Sequence, residues 1–359
     1  MILRFRPCLP VFLLHRRGKT SLHGAMRRLR IFFLAGAMLY PAVRVSAQPL
    51  MDGETWFAAE NHVVITGGAS AERMQHFGYF EALLTAQYPD SALTFRNLAW
   101  SGDEVTLRPR PLNFGSLEVH LAHQQPDVVL MFFGVNESFA GPEGLDAYRG
   151  ALRDLVVDIR SQRFNAVAPP RVMLVSPAAQ EETPGVAVDI AQRNRDLALY
   201  TGVMREVAEE LDVGFTDLFA PTRAIMRESD RPLTFNGIHF NAYGHLVMAG
   251  LLLRGLGITE MSDAGLRQAS EKAIEATPDD SGFERLRAMI AYKNEQFFYR
   301  YRPVNGEYVY GRRRRPFGVV NFPSEMDTLD AMVVREEGQI HAFARTVVSP
   351  EIFPPAEGR

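Results

Sequence analysis

The chain has 359 residues, of which 47% are hydrophobic and 23% charged, with a formal net charge of −3. Nine Lys or Arg and no Asp or Glu fall in residues 1–47, so 30 of the 39 basic residues remain against 42 acidic ones, a balance of −12. This acidic balance gives no electrostatic basis for general nucleic-acid binding. The single cysteine, Cys8, lies in the basic segment, which excludes disulfides, thiol nucleophiles and Cys-based metal sites from the rest of the chain.

Residues 1–47 are predicted to be a leader with a secretory signal peptide. A basic segment at 26–30 precedes an apolar stretch at 31–43, and the small-residue motif Val45-Ser46-Ala47 stands directly before Gln48. Within the leader, Met26 is a more natural start than the first Met. We therefore expect an exported protein, periplasmic or extracellular. An uncleaved signal anchor is the alternative, although the apolar stretch is short for a membrane span and no later segment replaces it.

After the leader, strand-like and helix-like segments alternate along the chain. Short runs with strand composition lie at residues 62–66, 94–98, 127–133, 171–176 and 213–216. Helical spacing of apolar residues is found at 79–87, 117–124, 145–162 and 189–211, and an apolar segment at 246–253 follows a polar loop. This alternation predicts an α/β fold in which a parallel sheet has helices on both sides.

The chain divides into two predicted regions after the leader. Residues 48–258 form the α/β domain, and 259–359 form a mainly helical C-terminal extension packed on it, with helices at 283–302 and 325–345. The arginine run at 312–315 is interpreted as a solvated turn, with a site for an anionic ligand as the alternative. The aromatic and basic run at 297–302 is either core with solvated arginine ends or a carbohydrate-facing platform.

Several polar residues follow the predicted strands, where open α/β sheets place their sites. His239 precedes the last apolar segment of the domain and is positioned as a general base. Asn136 offers a side-chain amide, and Gly102 offers a backbone N–H on a loop that a substrate can approach closely. Acyl transfer requires a nucleophile, a base that takes its proton, and donors aimed at the oxyanion, so these residues supply all but the nucleophile.

In this chain order the sequence resembles the GDSL/SGNH hydrolase family over residues 61–256. Gly102 in Asn97-Leu98-Ala99-Trp100-Ser101-Gly102 matches the family glycine, Asn136 in Gly134-Val135-Asn136-Glu137 the family asparagine, and His239 in Asn236-Gly237-Ile238-His239 the family histidine. The resemblance implies a flavodoxin-like three-layer sandwich and hydrolysis of an ester without metal or cofactor. The implied substrate is a small acyl ester, with an acetylated sugar among the candidates.

Two positions depart from the family pattern. Where the family has Gly-Asp-Ser, this chain reads Gly67-Gly68-Ala69, and alanine cannot attack an ester. A shift of one residue makes Ser70 the nucleophile. Where the family has Asp three residues before His, this chain has Asn236, which can bind an imidazole but carries no charge to stabilise an imidazolium.

These departures leave the chemistry open. In the active version Ser70 attacks, His239 is the base, and Gly102, Asn136 and the backbone N–H of the nucleophile bind the oxyanion. A water activated by Asp103 or Glu72 is an alternative to the serine. The alternative function is a non-catalytic binding module that retains the fold and the cleft.

Overall fold

Five strands form a single parallel sheet in the order β2-β1-β3-β4-β5. They are β1 His62–Gly67, β2 Thr94–Asn97, β3 Val128–Phe132, β4 Arg171–Val175 and β5 Gly214–Thr216. This confirms the predicted α/β class and the flavodoxin-like sandwich. In this order the connections leave in opposite directions from β1 and β3, so a crevice opens beyond the carboxyl ends of those two strands.

The computed structural model of the protein describes residues 56–111, 113–185, 188–276, 281–302, 311–316, 318–347 and 351–356. All of them belong to one compact unit, residues 46–359. The predicted leader and its cleavage site lie outside the described residues. Within the described ranges, no helix has the length and hydropathy that crossing a membrane requires.

Helices cover both faces of the sheet. They are α1 Ala69–Phe77, α2 Tyr79–Gln87, α3 Leu117–Gln124, α4 Leu145–Ser161, α5 Ile190–Leu211, α6 Phe219–Glu228, α7 Ala242–Gly255, α8 Asp263–Ala276, α9 Gly282–Tyr301 and α10 Phe322–Ala344, with a 3-10 helix at Glu137–Gly144. Alternate strand residues enter two separate cores, because successive side chains point to opposite faces. Val63 and Ile65 pack with α1, α2 and α7, whereas Val64 packs with α3, α4 and α5.

Two of these helices, α6 and α8, were not predicted from the sequence. The fully buried apolar residue of α8 is Leu266. Ala269, Ala273 and Ile274 follow it at helical spacing and pack on the same core, so the helix is stabilised by burying this face against α7 and α6. Gly78, with φ of +68°, ends α1 and precedes α2, so the helical region after β1 is broken in two.

The C-terminal helices α9 and α10 correspond to the two helices predicted at 283–302 and 325–345. They pack against each other and against α1, α2 and β2. Two buried ion pairs join them to the sheet region: Lys293 with Glu81 at 2.6 Å, and Arg96 with Glu337. Of the other features predicted here, the four arginines at 312–315 are exposed, and Phe297 is a core residue.

Candidate active site

A cavity of about 290 Å³ opens beyond the carboxyl ends of β1 and β3, at the crevice that the strand order predicts. Four of the five site residues predicted from the sequence line it, namely Ser70, Gly102, Asn136 and His239. They come from four loops that are distant in the chain. The cavity is therefore built from the segments in which sequence analysis placed the catalytic groups.

Ser70 lies in the first turn of α1, directly after the turn that ends β1. Gly67 has φ of +132°, and a Cβ at this position would lie 2.1 Å from the carbonyl oxygen of Phe132, so the turn requires glycine. Gly68 caps α1 without a side-chain hydrogen bond. The first backbone N–H groups of α1 are consequently available at the cavity, where they favour a negative charge.

The side chain of Ser70 is half-buried and lines the cavity beside Ala69. Within the described part of the chain, its hydroxyl makes no hydrogen bond, to His239 or to any other residue. The serine thus faces the cavity and not the core, but no contact with the imidazole is formed in this structure.

The two predicted oxyanion donors lie on neighbouring loops that are tied together. Asn136 donates from Nδ2 to the carbonyl oxygen of Asp103 at 3.2 Å. The carboxylate of Glu137 accepts from the backbone N–H of Val105 and from that of Gly134, both at 2.8 Å. Glu137 therefore connects the loop that contains Gly102 with the loop that contains Asn136.

The carboxylate of Glu181 anchors the loop that contains His239. Glu181 accepts hydrogen bonds from the backbone N–H of Leu233 at 2.9 Å and of Thr234 at 2.8 Å, and from the Thr234 hydroxyl. The backbone N–H of Glu181 in turn donates to the carbonyl oxygen of Gly237 at 2.9 Å. This anchorage explains how an irregular loop can hold a histidine at a fixed position.

Asn236, the fifth predicted site residue, does not line the cavity. Its Oδ1 accepts from the backbone N–H of Ile238 at 3.2 Å and of His239 at 2.9 Å, which shapes the turn before the histidine. Among the described residues no hydrogen bond reaches either ring nitrogen of His239. Burial and the charge of Arg73 lower the pKa of the imidazole, which keeps it neutral and able to accept a proton near pH 7.

The two carboxylates considered as bases for a water are both engaged. Arg110 binds Asp103 through two hydrogen bonds, at 2.5 and 2.7 Å. Glu72 accepts from Ser101 and from Arg302, each at 2.9 Å. An arginine bound to each carboxylate favours its charged form and makes it a weaker base, which counts against either residue as a general base.

The pKa values of Asp103 and Glu72 are shifted in opposite directions. Burial raises the pKa of Asp103 although Arg110 opposes the shift. Burial also acts to raise the pKa of Glu72, but hydrogen bonds from His76 and Ser101 and the charge of Arg302 outweigh it and lower the value to about 2. Glu72 is therefore a fixed negative charge at the edge of the site.

Sequence analysis did not identify an aromatic and cationic stack next to the cavity. Two guanidinium groups lie over the ring of Trp100, with Arg110 at 4.2 Å and Arg302 at 4.1 Å from its centroid. Arg302, which directly follows α9, also donates to Glu72, and Glu72 accepts from the hydroxyl of Ser101 in the cavity wall. The sequence showed both parts of this stack, the Trp100-Ser101-Gly102 motif and the aromatic and basic end of α9. It could not show that they contact each other, because they are about two hundred residues apart in the chain.

No cluster of three or more His, Asp or Glu side chains that could hold a metal ion is found in the described ranges. The sequence had predicted neither a metal nor a cofactor.

Comparison with protein families matches the model of the GDSL-like Lipase/Acylhydrolase family to residues 65–247. The chain belongs to this family of ester hydrolases, which confirms the resemblance seen in the sequence. The matched residues include all four of the cavity-lining positions discussed above. No curated protein matches the chain.

Several solved structures are similar to this chain. A catalytic mutant of Axe2, an acetylxylan esterase from Geobacillus stearothermophilus, is 22% identical over 56% of this chain and 97% of its own, with a TM-score of 0.44. A putative GDSL-like lipase from Parabacteroides merdae is 20% identical over 55% of this chain and 96% of its own, with a TM-score of 0.46. LAE5, an α/β hydrolase from the metagenome of Lake Arreo, is 22% identical over 56% and 97%, with a TM-score of 0.41.

Proposed function

We propose that this protein hydrolyses small esters in the cavity beyond β1 and β3, with Ser70 as the nucleophile. The observation that carries the proposal is that Ser70, Gly102, Asn136 and His239 line one cavity at the uncapped N-terminus of α1. Ser70 supplies a hydroxyl, His239 a neutral imidazole, and the other two supply donors for an oxyanion. These are the components that acyl transfer to water requires.

The reaction follows from these positions. The Ser70 oxygen attacks the ester carbonyl carbon while its proton passes to His239, and the oxyanion is bound by the backbone N–H groups of Gly102 and Ser70 and by the amide of Asn136. The carbon–oxygen bond to the alcohol then breaks, and the alcohol leaves with the proton from His239. A water that gives a proton to His239 then attacks the acyl carbon, the bond between this carbon and the Ser70 oxygen breaks, and the proton passes from His239 to Ser70 as the acid leaves.

A hydrogen bond between Ser70 and His239 has to form when substrate binds, because none is present in this structure. Catalytic hydrogen bonds are often long or absent in unliganded sites and form in the substrate complex. His239 also works without a carboxylate partner, since Asn236 is turned towards the backbone. We therefore expect slow turnover compared with a serine hydrolase that has a complete triad.

A trapping experiment tests the nucleophile directly. The purified mature chain is treated with a fluorophosphonate and assayed with p-nitrophenyl acetate, and the modified residue is located by mass spectrometry. We expect an adduct on Ser70 and loss of both adduct and hydrolysis in Ser70→Ala and in His239→Ala. Ser101→Ala is the matched control, because Ser101 lines the same cavity and its hydroxyl is bound to Glu72. Hydrolysis that persists in Ser70→Ala would contradict the assignment of the nucleophile.

The second candidate is a binding module that has lost catalysis. It is favoured by Ala69 at the family position of the nucleophile and by the hydrogen bonds of Asn236 to the backbone. A complete absence of hydrolysis, together with binding of an ester to the cavity, would support this candidate over the enzyme.

We further propose that the protein is exported and that acetylated sugars are among its substrates. Residues 1–47 have the pattern of a signal peptide, and the cavity is large enough for an acyl group with part of a sugar ring. N-terminal sequencing of protein recovered outside the cytoplasm should give Gln48 as the first residue. Release of acetate from an acetylated disaccharide checks the substrate.

A further inference from the structure

The wall of the candidate cavity contains a buried arginine that the reaction does not use. Arg193, in the first turn of α5, is 8% exposed and lines the cavity. Its Nη2 donates to the carbonyl oxygen of Val135 at 2.9 Å and to the hydroxyl of Ser138 at 2.8 Å. Its Nη1 is buried and has no hydrogen-bond partner among the residues that the structure describes.

The charge of Arg193 also lacks a direct counterion. Within the described residues, no carboxylate forms an ion pair with it. Asp196, one turn further along α5, acts on it electrostatically, but its Oδ1 accepts a hydrogen bond from Gln192 at 2.9 Å. A guanidinium keeps its proton in proteins even when burial lowers its pKa, as it does here. An unpaired cation in a buried position is unfavourable, so an anion that reaches it gains binding energy.

The rest of the cavity wall is suited to a ligand with a single negative charge. Arg193 is the one permanently cationic side chain among the described residues that line it, and Phe133, Ala179 and Leu197 provide apolar surface around it. Asp103 also lines the cavity, but Arg110 binds both of its carboxylate oxygens. A planar guanidinium matches the geometry of a carboxylate. A phosphate dianion would be matched better by several cations than by one.

The ring of Phe139 lies over the guanidinium on the solvent side. Its ring lies 3.7 Å from the guanidinium carbon of Arg193, yet 71% of Phe139 is exposed to solvent. A carboxylate therefore pairs with the in-plane edge of the guanidinium, or replaces the cation–π contact of the exposed Phe139 ring, which is weak at such a site. Phe139 belongs to the 3-10 segment that follows Asn136, next to the oxyanion donors.

We propose that the ester bound in this cavity carries a carboxylate group, which pairs with Arg193. The proposal rests on the proposed ester hydrolysis for the identity of the site, but the pairing itself can be tested by binding alone. The carboxylate can lie on the acyl side or on the alcohol side of the ester.

The test uses two matched pairs of esters that differ in one charge. Monomethyl succinate and methyl succinamate differ on the acyl side, and 4-acetoxybenzoate and 4-acetoxybenzamide differ on the alcohol side. Affinity is measured by calorimetry or ligand-observed NMR with the Ser70→Ala variant, and hydrolysis by chromatography with the unaltered chain. We expect the carboxylate to bind roughly ten- to a hundredfold more tightly than the amide in at least one pair, as for a charge-assisted hydrogen bond.

Two further variants locate the effect. Arg193→Met should abolish the preference for the carboxylate. Arg195→Met should retain it, because this substitution removes the same charge from the exposed face of α5, away from the cavity. Ser138→Ala removes one acceptor from Arg193 without removing the cation, and it should also retain the preference. This variant separates the charge of Arg193 from its role in holding the loop at 135–138.

The outcomes distinguish this inference from the proposed function. Equal binding of both members in both pairs, or a preference that persists in Arg193→Met, would overturn the inference while leaving ester hydrolysis untouched. A preference for the carboxylate without hydrolysis of any ester would support the inference and contradict the proposed reaction.

Discussion

The side-chain oxygen of Asn236 accepts a hydrogen bond from the backbone N–H of His239 at 2.9 Å. The residue that stands at the family position of the triad carboxylate therefore shapes the backbone of the histidine loop, and the imidazole is left without a charged partner from that position.

Replacing this amide by a carboxylate should strengthen the base. In Asn236→Asp the oxygen can still accept from the backbone, and its charge favours the imidazolium, so the pKa of His239 should rise. We expect at least about a tenfold increase in kcat for ester hydrolysis, because the carboxylate stabilises the protonated base. NMR titration of the imidazole and steady-state kinetics measure the two effects. In Asn236→Ala, the control, the turn is weakened and neither increase is expected.

The carboxylate of Glu137 should be required for the position of the oxyanion donors. Glu137→Gln retains one acceptor and turns an NH₂ group towards the other backbone N–H, so one of the two loops is released. We expect kcat to fall roughly 10- to 100-fold, because displaced donors stabilise the oxyanion less. KM should change little if the loops affect the transition state more than substrate binding. Glu143→Gln, an exposed change in the same 3-10 segment, should have no effect; equal kinetics for both variants would refute the role of Glu137.

The buried pair of Lys293 and Glu81 should contribute strongly to stability when one member is removed. Lys293→Met leaves a buried carboxylate without its partner, which costs about 3–5 kcal/mol in the free energy of unfolding. Burial already raises the pKa of Glu81, and loss of Lys293 raises it further. The folded state then keeps a proton that the unfolded state loses, so the variant should become less stable as pH rises above about 4.5. Urea unfolding at several pH values measures this, and a second change, Glu81→Gln, should remove the added pH dependence.

Acid should destabilise the protein through its buried histidines. Burial lowers the pKa of His245 to about 3, and that of His62 and His120 to about 4 each. Because the unfolded chain takes up these protons near pH 6.5, stability should fall as pH decreases from 6.5 towards 4. His245→Phe, which keeps a ring stacked on Phe77, should reduce this slope by about 1.4 kcal/mol per pH unit. Denaturant unfolding between pH 4 and 7 provides the test; an unchanged slope would show that His245 does not titrate as proposed.

Sequence reasoning was most successful where a local pattern determines the structure. The apolar run at 127–133 predicted the central strand β3, and the polar residues after it fell at the sheet edge because parallel strands end on the same side. Asn241 caps α7 by accepting from the backbone N–H of Gly244 at 3.0 Å, at the junction of the polar loop and the apolar segment.

The remaining features depend on contacts between distant residues. Nothing local distinguishes Arg193 from the exposed Arg195 two positions later, although one is buried in the cavity wall and the other is in solvent. The orientation of Asn236 was also not accessible, because an amide before a histidine can bind either its ring or its backbone. The division between residues 258 and 259 remains a prediction.

The ion pair of Arg96 with Glu337 joins the edge strand β2 to α10, so a chain without the C-terminal helices would lose contacts along this strand. Strand β2 is at the edge of the sheet. Lys293 donates a hydrogen bond to the carbonyl oxygen of Phe95 in this strand, and His341 Nε2 donates to that of Leu93 just before it. A fragment that stops before α9 would present this strand to neighbouring molecules with open hydrogen-bonding groups, which promotes intermolecular sheet formation and aggregation. We therefore expect α9 and α10 to keep the α/β region soluble by covering the edge strand.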